Sequence, residues 1–182
     1  MALYREIFHR VVGSFPMVEF WTLAYLTDPQ GNLLMTQREN DGYWRLPGGP
    51  IRPEEDMMNC LQRTVLDQTG VLIEAGYLIR VFSDASQRYI ETDDARVYPI
   101  YAVFSAASTR GRLERIEGSQ RRFRFFSAEN IPGDRVFPPM LPAVRFFSDC
   151  FSDGIPLRLV DVDAYIRYER PGEPGREDDF EL

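Results

Sequence analysis

Apolar and polar positions along the chain predict strands first, one helix, further strands, and a second helix before a polar end. Met17 to Leu26 is rich in aromatic and β-favouring residues and stops at Asp28-Pro29-Gln30-Gly31, a strong turn signal. Asn32 to Gln37 follows at once, so these two runs are expected to pair as a hairpin. Asn40-Asp41-Gly42 reads as another turn and Tyr43 to Leu46 as a short extended piece, leading into a loop at Pro47-Gly48-Gly49-Pro50. Pro53 to Thr69 reads as a helix. Pro53 suits the first helical position, and Glu54, Glu55 and Asp56 place negative charge where the helix dipole favours it. Met58, Leu61 and Val65 recur at helical spacing as the buried face, and Gly70 stands where a left-handed cap belongs.

Val71 to Ser83 is apolar and extended, with a bulge or turn signal at Glu74-Ala75-Gly76. Asp84 to Asp94 is a polar loop, Arg96 to Ala106 a strand, and Ser108 to Gln120 a charged loop. Arg121 to Phe126 alternates Arg with Phe and reads as an edge strand with a solvated basic side. Pro138-Pro139 opens a second helix to about Phe151, and Pro156 to Tyr168 could add a strand or short helix. Glu169 to Leu182 is Pro, Gly and acid with almost no apolar content, the composition of a solvated tail. There is no internal repeat. Strands and helices interleave around an early hairpin, which argues for an α/β (α+β) fold with a mixed sheet; no GxGxxG turn suggests a doubly wound parallel one.

The 182 residues are 44% hydrophobic and 13% aromatic, enough for one domain with a real core, expected over residues 17–153 between an N-terminal extension (1–16) and a C-terminal extension and acidic tail (154–182). Net charge is −7, which argues against a nucleic-acid polymer as partner, though not against a local basic pocket for a small phosphate ligand. All basic residues except His9 are arginine, so lysine-based Schiff-base or general-base chemistry is excluded. Cys60 and Cys150 form neither a CxxC pair nor a disulfide framework, and the single histidine supplies neither a His-rich metal site nor a Ser-His-Asp triad. Arg10, Gly13, Pro16 and Glu19 interrupt any signal-type apolar run, and no stretch approaches the ~18 apolar residues of a membrane span. A cytoplasmic location with no membrane partner is the expectation.

One spacing stands above this background: Gly49, Glu55, Arg63, Val65, Asp67, Gly70 and Val71, entered through Tyr43-Trp44-Arg45-Leu46-Pro47-Gly48. It resembles the Nudix signature G-x5-E-x7-R-E-U-x-E-E-x-G-U, with U a bulky aliphatic, and the W-x-L-P-G-G entry is similar to that family's as well. Gln37-Arg38 resembles the family's Arg-bearing strand, and Phe125-Phe126-Ser127-Ala128-Glu129-Asn130-Ile131-Pro132 its late strand and turn. The resemblance spans roughly residues 17–151. It implies a Nudix-like α/β/α sandwich with a mixed β-sheet, and hydrolysis of a nucleoside diphosphate linked to another moiety with Mg²⁺ or Mn²⁺.

Pyrophosphate hydrolysis needs cations on phosphate oxygens and a positioned, deprotonated water. Carboxylates on one helix face, beside a glycine loop with exposed carbonyls, would make such a cradle. Glu55, Asn59, Arg63 and Asp67 form one i+4 stripe; Asp56, Cys60, Thr64 and Gln68 form the next. By the resemblance Glu55 and Asp67 bind metal with a carbonyl of Gly48, and Arg63 orients the carboxylates. The motif is degenerate at Thr64 and Gln68, where the signature has glutamates. If the glutamate missing at Thr64 serves as base, its loss would cost roughly 100- to 10,000-fold in rate. A substitute carboxylate would come from the loops at Glu91, Asp93, Asp94, Glu114 or Glu117. Arg38 and Arg45 are candidates to hold phosphate, and Trp44 to stack on a base.

Plainer roles exist for each residue. Glu55 serves equally as a first-turn acid, Arg63 and Asp67 as an ordinary i,i+4 pair, and Trp44 as core. Two functions therefore stand: a metal-dependent hydrolase with a weakened metal site, or a catalytically silent Nudix-fold module that binds a nucleotide or sugar-phosphate. A third is an interaction protein that uses the fold only as a platform, with the two ends of the chain available for a homodimer, an assembly common in the family.

Overall fold

The computed structural model describes residues 16–38, 41–83, 89–90, 96–110 and 121–152. Its centre is β1 (Met17–Leu26), bordered on both edges. On one edge β4 (Gly48–Pro50) runs antiparallel, Thr22 opposite Gly49; on the other β7 (Arg96–Arg110) runs parallel, Trp21 opposite Tyr101. β7 then pairs antiparallel with β5 (Leu72–Phe82) and with the short β6 (Tyr89–Ile90), so the order β4-β1-β7-β5 makes a mixed sheet. A second, antiparallel sheet has the order β3-β2-β8, from Trp44–Arg45, Leu33–Arg38 and Arg121–Phe126.

Among the described residues two α-helices, α1 (Met57–Thr69) and α2 (Leu141–Ser152), are served by opposite faces of the same strands. Side chains of a strand alternate between faces. Leu23 and Tyr25 of β1, Tyr101 and Val103 of β7, and Leu33 and Met35 of β2 pack with Ala143, Val144 and Phe147 of α2. Their alternates Ala24, Leu26, Ala102, Phe104 and Leu34 pack with Leu61 and Val65 of α1. This α/β/α layering buries β1 on both faces, which is why Met17 to Leu26 reads as a near-continuous apolar run. Tyr25 reinforces it by donating from its hydroxyl to the Ala143 carbonyl at 2.5 Å.

Five expectations are corrected. β1 and β2 are joined by a tight turn, in which the Asp28 carboxylate accepts the N–H groups of Gln30 and Asn32, but they make only the Thr27–Leu33 bridge before parting into different sheets. Both edges of β1 are taken by β4 and β7, so β2 has nothing there to pair with. The Gly48–Pro50 loop is itself a strand. The first helix starts at Met57 because Asp56 caps it, its carboxylate accepting the Asn59 N–H at 2.8 Å, while Glu54 has φ 65°, incompatible with a helix through Pro53. Its first turn therefore holds no acid. A separate 3₁₀ turn (Pro138–Met140) precedes α2, and β7 continues four residues past Ala106. His9, the two predicted extensions apart from Pro16, and the five loop carboxylates lie outside the described residues.

Candidate functional site

α1 lies against β4 along its second stripe, and the match is residue by residue. Gly48 has φ 142°, and a Cβ there would meet the Thr22 carbonyl oxygen and Leu23 Cα, so only glycine lets β4 approach β1 this closely. A Cβ on Gly49 would come within 2.8 Å of the Thr64 methyl. The Cys60 thiol lies 3.5 Å from the Gly49 carbonyl and 3.4 Å from that of Pro50. One turn on, Thr64 is buried and its hydroxyl donates back to the Cys60 carbonyl at 2.7 Å. One turn further, Gln68 faces Gly48: Nε2 donates to the Gly48 carbonyl at 2.6 Å and Oε1 accepts the Gly48 N–H at 3.2 Å. These partners orient the carboxamide, since a flipped one would set donor against donor and acceptor against acceptor. Burial pushes the Cys60 thiol up, the opposite of an activated nucleophile.

The other stripe is more open. Glu55 accepts from Arg63 Nε at 2.6 Å and Nη2 at 2.7 Å, and from the Arg52 N–H at 3.1 Å. The Arg63 guanidinium is the main cause that holds its carboxyl down, at about 2, against the opposing effect of burial. Asp67 is 3.9 Å from Arg63 Nη1, and its side chain is 61% exposed. Among the described residues no three His, Cys, Asp or Glu side chains cluster in a way that could hold a metal ion. A cation seeking the Gly48 carbonyl would have to displace a carboxamide bonded to that same residue.

Arg45 and Trp44 are built into the body of the protein. The Arg45 guanidinium forks onto both oxygens of Asp41, at 2.9 and 2.5 Å, and lies 4.2 Å above the Phe137 ring. Asp41 is correspondingly lowered: burial would raise it, but hydrogen bonds from Arg45 and the Tyr43 N–H, with the charges of Arg45 and Arg38, outweigh this. Trp44 meets Phe126 edge-to-face at 4.9 Å, and its carbonyl accepts the Phe137 N–H. Arg38 ends β2 opposite Arg121. The partners Asp41 and Phe137 were not singled out from sequence; Phe137 carries no local signal, being 92 positions from Arg45 in the chain and joined to it only by the fold.

The NUDIX domain model matches residues 21–145, spanning both sheets, α1 and its glycine entry. The chain belongs to the NUDIX domain family. Solved structures agree on the fold. A UDP-X diphosphatase superposes with TM-score 0.58 at 12% identity, over 85% of this chain and 72% of that one. An ADP-ribose pyrophosphatase from Streptococcus suis gives 0.55 at 15%, over 73% and 91%. A MutT protein from Methanosarcina mazei gives 0.55 at 22%, over 78% and 97%. At such identities the likeness is one of fold, and this NUDIX domain must be read from its own side chains.

Proposed function

We propose that this NUDIX-family protein binds a small nucleotide-like ligand, a nucleoside diphosphate linked to another moiety or a sugar-phosphate, without depending on a resident cation, and that hydrolysis is slow or absent. The observation that carries this is the state of the two box carboxylates. Glu55 is committed to Arg63 through two short hydrogen bonds, Asp67 stands on the exposed stripe, and among the described residues no three His, Cys, Asp or Glu side chains come together to hold a metal. Thr64 and Gln68 are neutral and turned into the β4 seam. Magnesium surrenders its waters reluctantly and needs charged oxygen ligands or substrate phosphates in compensation, so this donor set does not fit it. The ligand class is inferred from the superposed UDP-X diphosphatase and ADP-ribose pyrophosphatase, whose names give a UDP-X and an ADP-ribose substrate.

A second reading keeps one feature in its favour. Glu55 stays ionised across the physiological range and Asp67 is accessible, so a cation brought in on the substrate's phosphates could be met by them. This gives a slow, single-metal hydrolase.

Calorimetry of ADP-ribose and a UDP-sugar, in EDTA and again in excess Mg²⁺, separates the two when the products are followed in parallel. Equal affinity in both buffers with no cleavage supports the binding module. Cleavage that appears only with Mg²⁺ and disappears in Asp67→Ala supports the hydrolase. No binding of either compound in either buffer overturns both.

A further inference from the structure

We propose that Gln68 takes the place of the cation on the Gly48 carbonyl: its carboxamide is a built-in, neutral substitute that holds the β4 glycines against α1, and it makes the wild-type site indifferent to divalent metal. This deepens the cation-independent reading above and rests on it.

The resemblance assigns the Gly48 carbonyl to metal, and the signature has a glutamate where Gln68 stands. In the structure that carbonyl is satisfied at 2.6 Å by Gln68 Nε2, and the same carboxamide returns an acceptor to the Gly48 N–H. A glutamate could make only the second of these bonds. Its other oxygen would face the carbonyl oxygen, two acceptors with nothing between them, an arrangement that a cation relieves. Glutamine and cation are thus alternative solutions to one geometry, and they exclude each other, since Nε2 occupies the position from which a metal would approach.

The neighbours on the stripe point the same way. The Thr64 methyl fills the space over Gly49, and the Thr64 hydroxyl is turned back to the Cys60 carbonyl. Cys60 lies against the carbonyls of Gly49 and Pro50. All three side chains facing β4 are uncharged, and Gln68 and Thr64 are buried there with their polar atoms paired inside the protein. Such a seam is closed by hydrogen bonds and packing, where a carboxylate-lined one would need a metal to close.

The test uses the full chain with no nucleotide present, so that a failure of ligand binding cannot be mistaken for failure here. Wild type, Gln68→Glu and Gln68→Met are compared by thermal unfolding in EDTA and in millimolar Mn²⁺. Both variants are expected to melt several degrees below wild type in EDTA. Mn²⁺ should recover most of that loss in Gln68→Glu, none of it in Gln68→Met, and should leave wild type unmoved. Should Gln68→Glu be unfolded in EDTA, folding on addition of Mn²⁺ supports the proposal and its absence counts against it. Wild type supplies an independent measure by NMR. The Gln68 side-chain NH₂ should exchange slowly, and neither it nor the Gly48 amide should broaden with paramagnetic Mn²⁺. Broadening of those two resonances in wild type, or a Gln68→Glu variant that gains no Mn²⁺ response, would overturn the proposal.

Discussion

Gln68 and Gly48, twenty residues apart, exchange two hydrogen bonds across the seam between α1 and β4, the side-chain amide donating at 2.6 Å and accepting at 3.2 Å. A helix side chain thereby serves as partner on the outer edge of β4, where no strand pairs among the described residues, β1 being paired on the other. Buried backbone groups must be paired somewhere, and here the box helix does it.

On its other side, against β1, β4 leaves no room at Gly48. Gly48→Ala places a methyl against the Thr22 carbonyl oxygen and Leu23 Cα at a φ that L side chains rarely adopt. The expected loss is roughly 3 kcal/mol or more of unfolding free energy, among the larger effects of a single substitution. Gly42→Ala, with open space around its Cβ but φ 69°, should cost only about 1 kcal/mol. Urea denaturation of the two variants checks the contrast, and equal losses would refute the close approach.

The Glu55–Arg63 pair should make stability depend on acid. The Glu55 carboxyl falls from a reference of 4.5 to about 2 in the folded protein, so its contribution is complete above about pH 4.5 and is lost as pH drops toward 2. The size is on the order of 3 kcal/mol at most, since one pKa unit is worth about 1.4 kcal/mol. Glu55→Gln removes this step from the pH profile of stability, which denaturant titrations between pH 2 and about 6 would reveal. An unchanged profile would show that the pair is not formed in solution.

Arg45 is expected to behave as a structural residue. Arg45→Ala leaves Asp41 without its fork and bares the Phe137 ring, at a cost of about 1–3 kcal/mol. Arg45→Lys should recover little, because a point charge can neither fork onto both carboxylate oxygens nor stack on the ring. Loss of ligand affinity with no loss of thermal stability in Arg45→Ala would instead return this residue to the phosphate-binding role its sequence context suggests.

Asp67 lies at the other extreme. It is exposed and, among the described residues, makes a long contact to Arg63, so Asp67→Ala should shift stability by less than about 0.5 kcal/mol. A change in Mg²⁺-dependent cleavage in that variant would then report on chemistry alone. The measurement is a paired unfolding curve and product assay on one preparation.

The box register was legible because it is local. Gly49, Glu55, Arg63, Gly70 and Val71 keep fixed spacings along one turn-and-helix segment, and their periodicity places them on stripes whatever surrounds the helix. The start of α1 was less so: Pro53, Glu54 and Glu55 have the composition of a first helical turn, yet the Asp56 cap and the left-handed Glu54 move the beginning to Met57. The expected hairpin failed for a non-local reason, since a turn fixes which segments are near but not which edges are free.

By itself the sequence determined the NUDIX-type helix, its glycine entry, the apolar strands and the uncharged Thr64 and Gln68 on one stripe of that helix, all of them properties of spacing and side-chain identity. Tertiary structure decided which way those side chains are spent. Whether Gln68 reaches a metal through water, faces solvent or clasps Gly48 depends on how closely β4 is drawn against α1. That distance is set by β1, by the missing Cβ atoms of Gly48 and Gly49, and by core residues from β1, β2, β5 and β7 packed behind Leu61 and Val65. Long-range packing fixes the distances, and hydrogen bonding follows from the distances.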